Sequence, residues 1–401
     1  MNAVNIYDAV RTPRTKGKSD GSLAGVAPYE LVRQLTEALR QRQGVATLAS
    51  VDRLALGCVT QTGAQGGHIA LVSRLHAGLP DTAVAVTLNN YCVSGMSAVA
   101  AAARAIATGE EHLALAGGVE SMSQSPFEGD RANFYSDMAL AARLRYVSPP
   151  IVADLLATQA GLSRADLDAV TVESHRRAAA AWRDGHYASS VVAITRGDGT
   201  KVERDELLRP GLSAADLTRF GPAFGPLGAL GHDAFLTDAI PGLGEVKHVH
   251  AIPHCPPIAD GAALVLIGDQ TRAAELGLKS RAQLAAIAEV DGDPLAPFAA
   301  GFDAMHRVLL RAGLTLKDMG AIEFMEAFAA VPAKFLRDYA PDPERVNGSG
   351  GHLALGHPMG ASGGVLITTL LAEMERRDVE WGLAVAAAVS GVGCAVILHR
   401  G

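Results

Sequence analysis

The sequence holds few cysteines, few aromatic residues and no surplus of positive charge. Four cysteines in 401 residues, at positions 58, 92, 255 and 394, do not make a disulfide scaffold, and no two form a Cys-x-x-Cys pair, which argues against a cysteine-based zinc site. Lysine and arginine total 35 against 42 aspartate and glutamate, a net charge of −7. That balance argues against nonspecific nucleic-acid binding and against a polybasic membrane surface. No stretch of about 18 apolar residues is free of charges and breakers, so no membrane-crossing helix is expected. Near Met1, Asp8 and Arg11 interrupt the apolar run a secretory leader would need. The expectation is a reduced, cytoplasmic protein whose cysteines, where they matter, matter as thiols.

What is present is small. The chain carries 43 glycines, with alanine-rich stretches at 98–103 and 386–388, a composition suited to close helix–strand packing and tight turns. At 49% hydrophobic and 19% charged it reads as globular, and its length implies two or three domains or one duplicated body with an insertion. Apolar runs predict strands at 3–10, 53–59, 83–88 and 112–117, with helices at 28–43 (Pro28 near its start, Gly44 as stop) and 94–108 (closed by Gly109). Buried strands separated by helices imply a mainly parallel sheet. From about 121 to 250 the pattern turns irregular; a helix is expected over 165–183 and a surface loop over the Gly/Pro-rich 221–244. Strands then return at 262–268, 282–290, 322–325, 383–389 and 394–399, with helices at 302–312 and 362–376. The flanks look like weak copies of one another, each with a glycine-bearing turn feeding a small-residue helix and then a strand.

Two of these turns carry chemistry. Cys92 stands after a strand and just before an alanine-rich helix, where free backbone N–H groups and the helix dipole favour a thiolate and could hold an oxyanion. A small buried cysteine in a packed turn reads the same way. His357 sits on a stiff turn, Gly-His-Pro-Met-Gly, and suits a general base or oxyanion donor, as it also suits a structural histidine. The two are meaningful together if the duplicated halves face each other.

Around these residues the chain resembles the thiolase family. Asn89-Asn90-Tyr91-Cys92-Val93-Ser94-Gly95-Met96 is similar to its nucleophile motif and 356–363 to its histidine motif; Arg11-Thr12-Pro13, 116–122, 174–179, 260–263 and Glu326-Ala327-Phe328 match in order along the whole chain. The resemblance implies a duplicated, five-layered α/β/α/β/α fold with an inserted loop domain: an N-terminal half at 1–120 completed by 251–272, a coenzyme A-binding loop domain at 121–250, and a C-terminal half at 273–401. It implies an acyl-CoA C-acyltransferase in which Cys92 accepts an acyl group and His357 activates it, making or cleaving the C–C bond of a 3-ketoacyl-CoA. Val389, Ser390, Gly391, Met325 and Glu326 would form the oxyanion and loop region, and Ala327, Phe328 and Pro256 would contact coenzyme A. Coenzyme A is then a substrate, with no tightly bound cofactor and no metal; the partners are acyl-CoAs and other copies of the chain in a homodimer or homotetramer, with neither nucleic acid nor membrane.

The departures fall on the carbon–carbon step. The family's Asn before Glu-Ala-Phe is Met325, which cannot hold a water well. The second catalytic Cys of the last loop is Ala387, which cannot transfer a proton. His254, Cys255 and Cys394 are the candidates to substitute for it. Three rival readings follow: an enzyme with an altered second half-reaction (acyl transfer to another nucleophile, or an unusual retro-Claisen cleavage), a non-catalytic partner subunit, and a β-ketoacyl synthase-like enzyme, which the histidine motif and insertion fit less well.

Overall fold

The computed structural model describes residues 2–401. Its main element is a mixed ten-stranded sheet built in two matching halves. In the first, β3 (Arg53–Gly57) runs parallel to β4 (Val84–Leu88) and to β5 (Leu113–Ser121), β5 is antiparallel to β8 (Ala259–Gly268), and β8 is antiparallel to β1 (Asn5–Arg11). In the second, β10 (Ala321–Phe324) runs parallel to β11 (Trp381–Ala388), β11 is antiparallel to β12 (Val392–His399), and β12 is antiparallel to β9 (Ala282–Asp291). The sequence parallel, antiparallel, antiparallel thus occurs twice, and a short β1–β9 pairing joins the copies. The short β2 (Thr15–Lys16) pairs with β8, and β6 (Ile194–Thr195) with β7 (Lys201–Val202) forms a separate ribbon.

The expected mainly parallel sheet is therefore corrected to a mixed one. The inference from apolar runs failed because strands of both directions are covered on both faces. Along β3, Leu54 and Leu56 pack beside Leu31, Leu35 and Leu39 of α1 (Pro28–Gln43), while Ala55 faces the opposite core, which holds α2 (Ser94–Thr108). In β5, Leu113 and Leu115 likewise face outward, and Ala114 and Ala116 inward. Large residues face the outer helices and small ones face the central helices, as the two-residue period of a strand allows.

Between β5 and β8 lie α3 (Pro149–Ala160) and α4 (Arg164–Arg183), the latter opened by a reciprocal Ser163–Asp166 cap. The expected loop at 221–244 is instead partly helical, over Gly225–Leu227 and Asp233–Ala239, because Leu236 is buried against the core and fixes the segment. In the second half α5 (Ala299–Ala312) plays the part of α1, and α6 (Ser362–Arg377) that of α2.

The central layer depends on how closely α2 and α6 meet. A Cβ added at Gly95 would lie 2.7 Å from the Gly360 oxygen and 2.9 Å from the Gly364 nitrogen, and one at Gly363 would lie 2.1 Å from the Met96 nitrogen. These are backbone atoms and cannot swing aside. Gly363→Ala should therefore force the two helix heads apart and lower stability by at least about 2 kcal/mol, read as a lower urea midpoint, whereas Gly161→Ala, in open space, tests only the left-handed backbone.

Candidate active site

Cys92 stands two residues before α2, in a turn that the polar residues around it close. Tyr91 takes a left-handed conformation (φ 47°), and its N–H donates to Asn89 Oδ1 at 3.0 Å. Ser94 Oγ accepts from the Asn90 N–H at 2.7 Å and donates to the Tyr91 carbonyl. The thiol lies 3.8 Å from the Met359 sulfur, so the turns that carry Cys92 and His357 touch. The expected thiolate is not what the free protein holds. Burial, then the nearby Glu120 carboxyl, push the Cys92 thiol up to about 12, outweighing the backbone hydrogen bond that favours the charged form.

His357 reaches the same place from the other half. Gly356 precedes it at φ 92°, a backbone conformation that suits glycine, and the His357 N–H donates to the Pro257 carbonyl at 2.8 Å. The ring is buried, its Nδ1 lies 2.8 Å from Ser362 Oγ, and its Nε2 has no partner among the described residues. Burial, then the Arg14 charge, lower its pKa to about 3. At neutral pH the ring is uncharged, and with Nδ1 protonated toward Ser362 it presents a lone pair at Nε2. Arg14 donates to the Gly356 carbonyl at 3.0 Å, while Asp205 binds the Arg11 guanidinium at 2.8 and 2.9 Å.

Glu120, at the end of β5, ties the turns together. Its buried carboxyl accepts from the N–H groups of Val59 (2.9 Å), Thr60 (3.1 Å) and Gly360 (2.9 Å) and from Gln65 Nε2 (2.8 Å). One side chain therefore joins the first half to the histidine turn of the second.

Cys92 and His357 open on one apolar cavity of about 270 Å³. Of the other residues singled out in the sequence, Cys255, Pro256, Ala327, Phe328 and Val389 line it. The rest do not. His254 is fully buried with both ring nitrogens engaged: Nδ1 accepts from the Ala251 N–H at 3.0 Å, and Nε2 lies 2.7 Å from Asp168 on α4. Cys394 is buried in β12 between Ala386 and Glu289. Both are thereby removed as substitute proton carriers. Glu326 is buried with its carboxyl held by Ser174, Asn347 and the Leu353 N–H, so it braces the loop. Ser390 and Gly391 form the turn joining β11 to β12, away from the cavity wall, and Met325 continues the β10–β11 pairing through its N–H to Val385. Ala387 is fully buried, and its methyl group would lie 2.6 Å from a Cβ at Gly301, so it packs on the head of α5.

Four further residues are not singled out individually by the sequence. Glu120 and Ser362 lie inside the matched segments 116–122 and 356–363, and Arg14 directly follows Arg11-Thr12-Pro13. His352 is buried, its two ring nitrogens have no partner among the described residues, and its ring meets that of His357 edge-on at 5.1 Å. Burial, then His357 and the arginines, hold it well below the usual histidine range. It stands just ahead of the histidine motif in the chain, and the short helix His352–Leu355 followed by Gly356 turns its ring onto that of His357.

A thiol and a neutral imidazole, delivered by equivalent turns of two copies of one topology, meet at one cavity, a pairing suited to acyl transfer through a cysteine. Comparison with known proteins narrows this. The thiolase N-terminal domain model matches residues 4–232, and the thiolase C-terminal domain model matches 278–400. A 3-ketoacyl-CoA thiolase of Erwinia tasmaniensis is 35% identical, and one of Serratia proteamaculans 34% identical, each over the full length of both chains. The crystal structure of the Bacillus anthracis acetyl-CoA acetyltransferase superposes with a TM-score of 0.85 at 27% identity, covering 100% of this chain and 99% of that one. The chain belongs to the thiolase family.

Two outcomes test the site. A raised thiol pKa means the proton is still on the sulfur at neutral pH, so iodoacetamide should alkylate Cys92 more slowly than a free cysteine at pH 7.5. The rate should keep climbing past pH 9, and peptide mass spectrometry that finds a plateau below pH 8 would refute this. Glu120→Gln replaces an acceptor with a group that also donates, facing three N–H groups; unfolding should become easier by about 1–3 kcal/mol in a urea titration.

Proposed function

We propose that the chain is a 3-ketoacyl-CoA thiolase-type C-acyltransferase working through Cys92 and His357. The observation that carries this is their convergence on one apolar cavity from matching turns of the two halves. In thiolysis, His357 Nε2 takes the Cys92 proton as the sulfur attacks the 3-keto carbon. The C2–C3 bond breaks, leaving an acyl-Cys92 thioester and the enolate of acetyl-CoA. The enolate takes up a proton, and the thiol of free coenzyme A attacks the thioester, passing its own proton on and releasing the Cys92 sulfur, which takes its proton back from His357. Val389 and the backbone at the head of α2 would hold the oxyanion. Pro256, Ala327 and Phe328 would contact the pantetheine arm, with 121–250 acting as the coenzyme A-facing insertion between the halves 1–120 with 251–272 and 273–401.

With alanine at 387, the proton for the enolate has to come from elsewhere. We assign it to Cys255, which lines the cavity and whose burial keeps its thiol protonated. Coenzyme A, giving up its proton as it attacks, restores that thiol.

Two coarser features fit the same reading. Among the described residues no helix is long and apolar enough to cross a membrane, and all four cysteines are unpaired, as a reducing cytoplasm would keep them. Strand β4 is a sheet edge of sequence Val-Ala-Val-Thr-Leu with partly exposed side chains. Proteins seldom leave such an edge bare, which favours a homo-oligomer; light scattering that returns a monomer would count against it.

Incubation with acetoacetyl-CoA and coenzyme A should release acetyl-CoA, and intact mass should show an acyl adduct lost in Cys92→Ser. Neither adduct nor turnover with any acyl-CoA would refute the reading. Cys255→Ala should slow exchange of the α-hydrogens of acetyl-CoA by tenfold or more while Cys92 still acylates. Ala387→Cys with Met325→Asn should raise thiolysis; no gain, alongside a strong Cys255→Ala effect, would fit a proton path that runs through Cys255 alone.

A further inference from the structure

A chain only 5% aromatic places seven aromatic side chains on this one cavity. Four of them form two pairs. On the wall from the insertion, the rings of Tyr135 and Tyr146 lie 5.7 Å apart and both pack edge-on against Phe134. On the wall from the second half, Phe298 and Phe328 lie 6.0 Å apart at 50°. Phe127 is 39% exposed although it lines the cavity. Tilted and edge-on arrangements of this kind accept another ring, edge to face, better than they accept a flexible chain.

The polar groups are equally selective. Tyr146 donates to Glu128 at 3.1 Å and Tyr135 to Asp130 at 3.3 Å; both carboxyls line the cavity, and no lysine or arginine does. An acyl group ending in a carboxylate would meet two acids and no cation, an unpaired charge in an apolar space. The volume, about 270 Å³, lies below the roughly 300–1,000 Å³ of drug-sized sites, which suits a compact group and leaves little room for a long alkyl tail.

From the two aromatic pairs and the cation-free acidic rim, we infer that the acyl group carried by Cys92 is an uncharged, ring-bearing one of aryl type. This rests on the acyltransferase reading above and names its substrate class. The ring lies between the Tyr135–Tyr146 pair and Phe298, with Phe328 backing Phe298 from the pantetheine side, and Glu128 with Asp130 turns away acyl groups that end in a carboxylate.

The test compares kcat/KM for thiolysis of 3-oxo-3-phenylpropanoyl-CoA, acetoacetyl-CoA, 3-oxohexadecanoyl-CoA and 3-oxoadipyl-CoA. The aryl ester should lead by tenfold or more, with no measurable turnover of the adipyl ester. Phe127→Ala should lower the ratio of aryl to acetoacetyl activity about tenfold. Glu128→Gln with Asp130→Asn should admit the adipyl ester. Calorimetric binding of the four esters to Cys92→Ser gives the same ranking independently of turnover. A preference for the acetoacetyl or hexadecanoyl ester, or equal affinities, overturns the inference and leaves the acyltransferase reading standing. Absence of both cleavage and Cys92 acylation with all four overturns that reading and this inference with it.

Discussion

The structure depends on backbone-to-backbone contact between the heads of two helices. α2 and α6 approach so closely that a methyl group at Gly95 or Gly363 would strike the main chain of the other half, and one at Gly360, just before α6, would strike the Cys58 backbone and the Glu120 carboxyl. Removing side chains there lets the turn before each helix reach the other's territory, and Cys92 comes to lie against Met359. A side chain at any of these glycines would widen the layer and separate the thiol from the imidazole. The alanine faces of β3 and β5 extend the same constraint outward, since only small residues let the sheet lie close to α2.

Around that contact the chain manages buried charge so that the Cys92 thiol and the His357 imidazole both stay neutral. Arg11 and Arg14 share Asp205, and the charge of Arg14 helps to keep His357 unprotonated. A neutral histidine with a free Nε2 is a base; a charged one is not. The thiol opposite keeps its proton because the cavity is apolar. Glu120 fixes the relative position of the two turns with one carboxyl, since a carboxylate has acceptor sites enough for several N–H groups at once.

Much of this was legible in the sequence where the signal is local. Pro28 and Gly44 bracket α1 at the predicted residues, and Gly109 closes α2 as expected, because caps act over a few residues. The turns of Cys92 and His357 could be found because glycine, proline and a reactive side chain stand together. Strand direction was not legible: Leu-rich and Val-rich runs say that both faces are covered, not which way the neighbour runs. Nor was the fate of His254 and Cys255, adjacent in sequence, one locked between Ala251 and Asp168 and the other open to the cavity.

The sequence by itself determined the small-residue composition, the capped helices, the turns that carry Cys92 and His357, and the methionine and alanine at 325 and 387. Each of these is a property of a residue and its immediate neighbours. Only the tertiary structure decided that turns 265 positions apart share one cavity, that Cys255 rather than His254 or Cys394 opens on it, and that scarce aromatic residues gather on its walls. Those outcomes depend on which backbones approach closely enough to leave no room between them, and that is set by packing across the whole duplicated sheet.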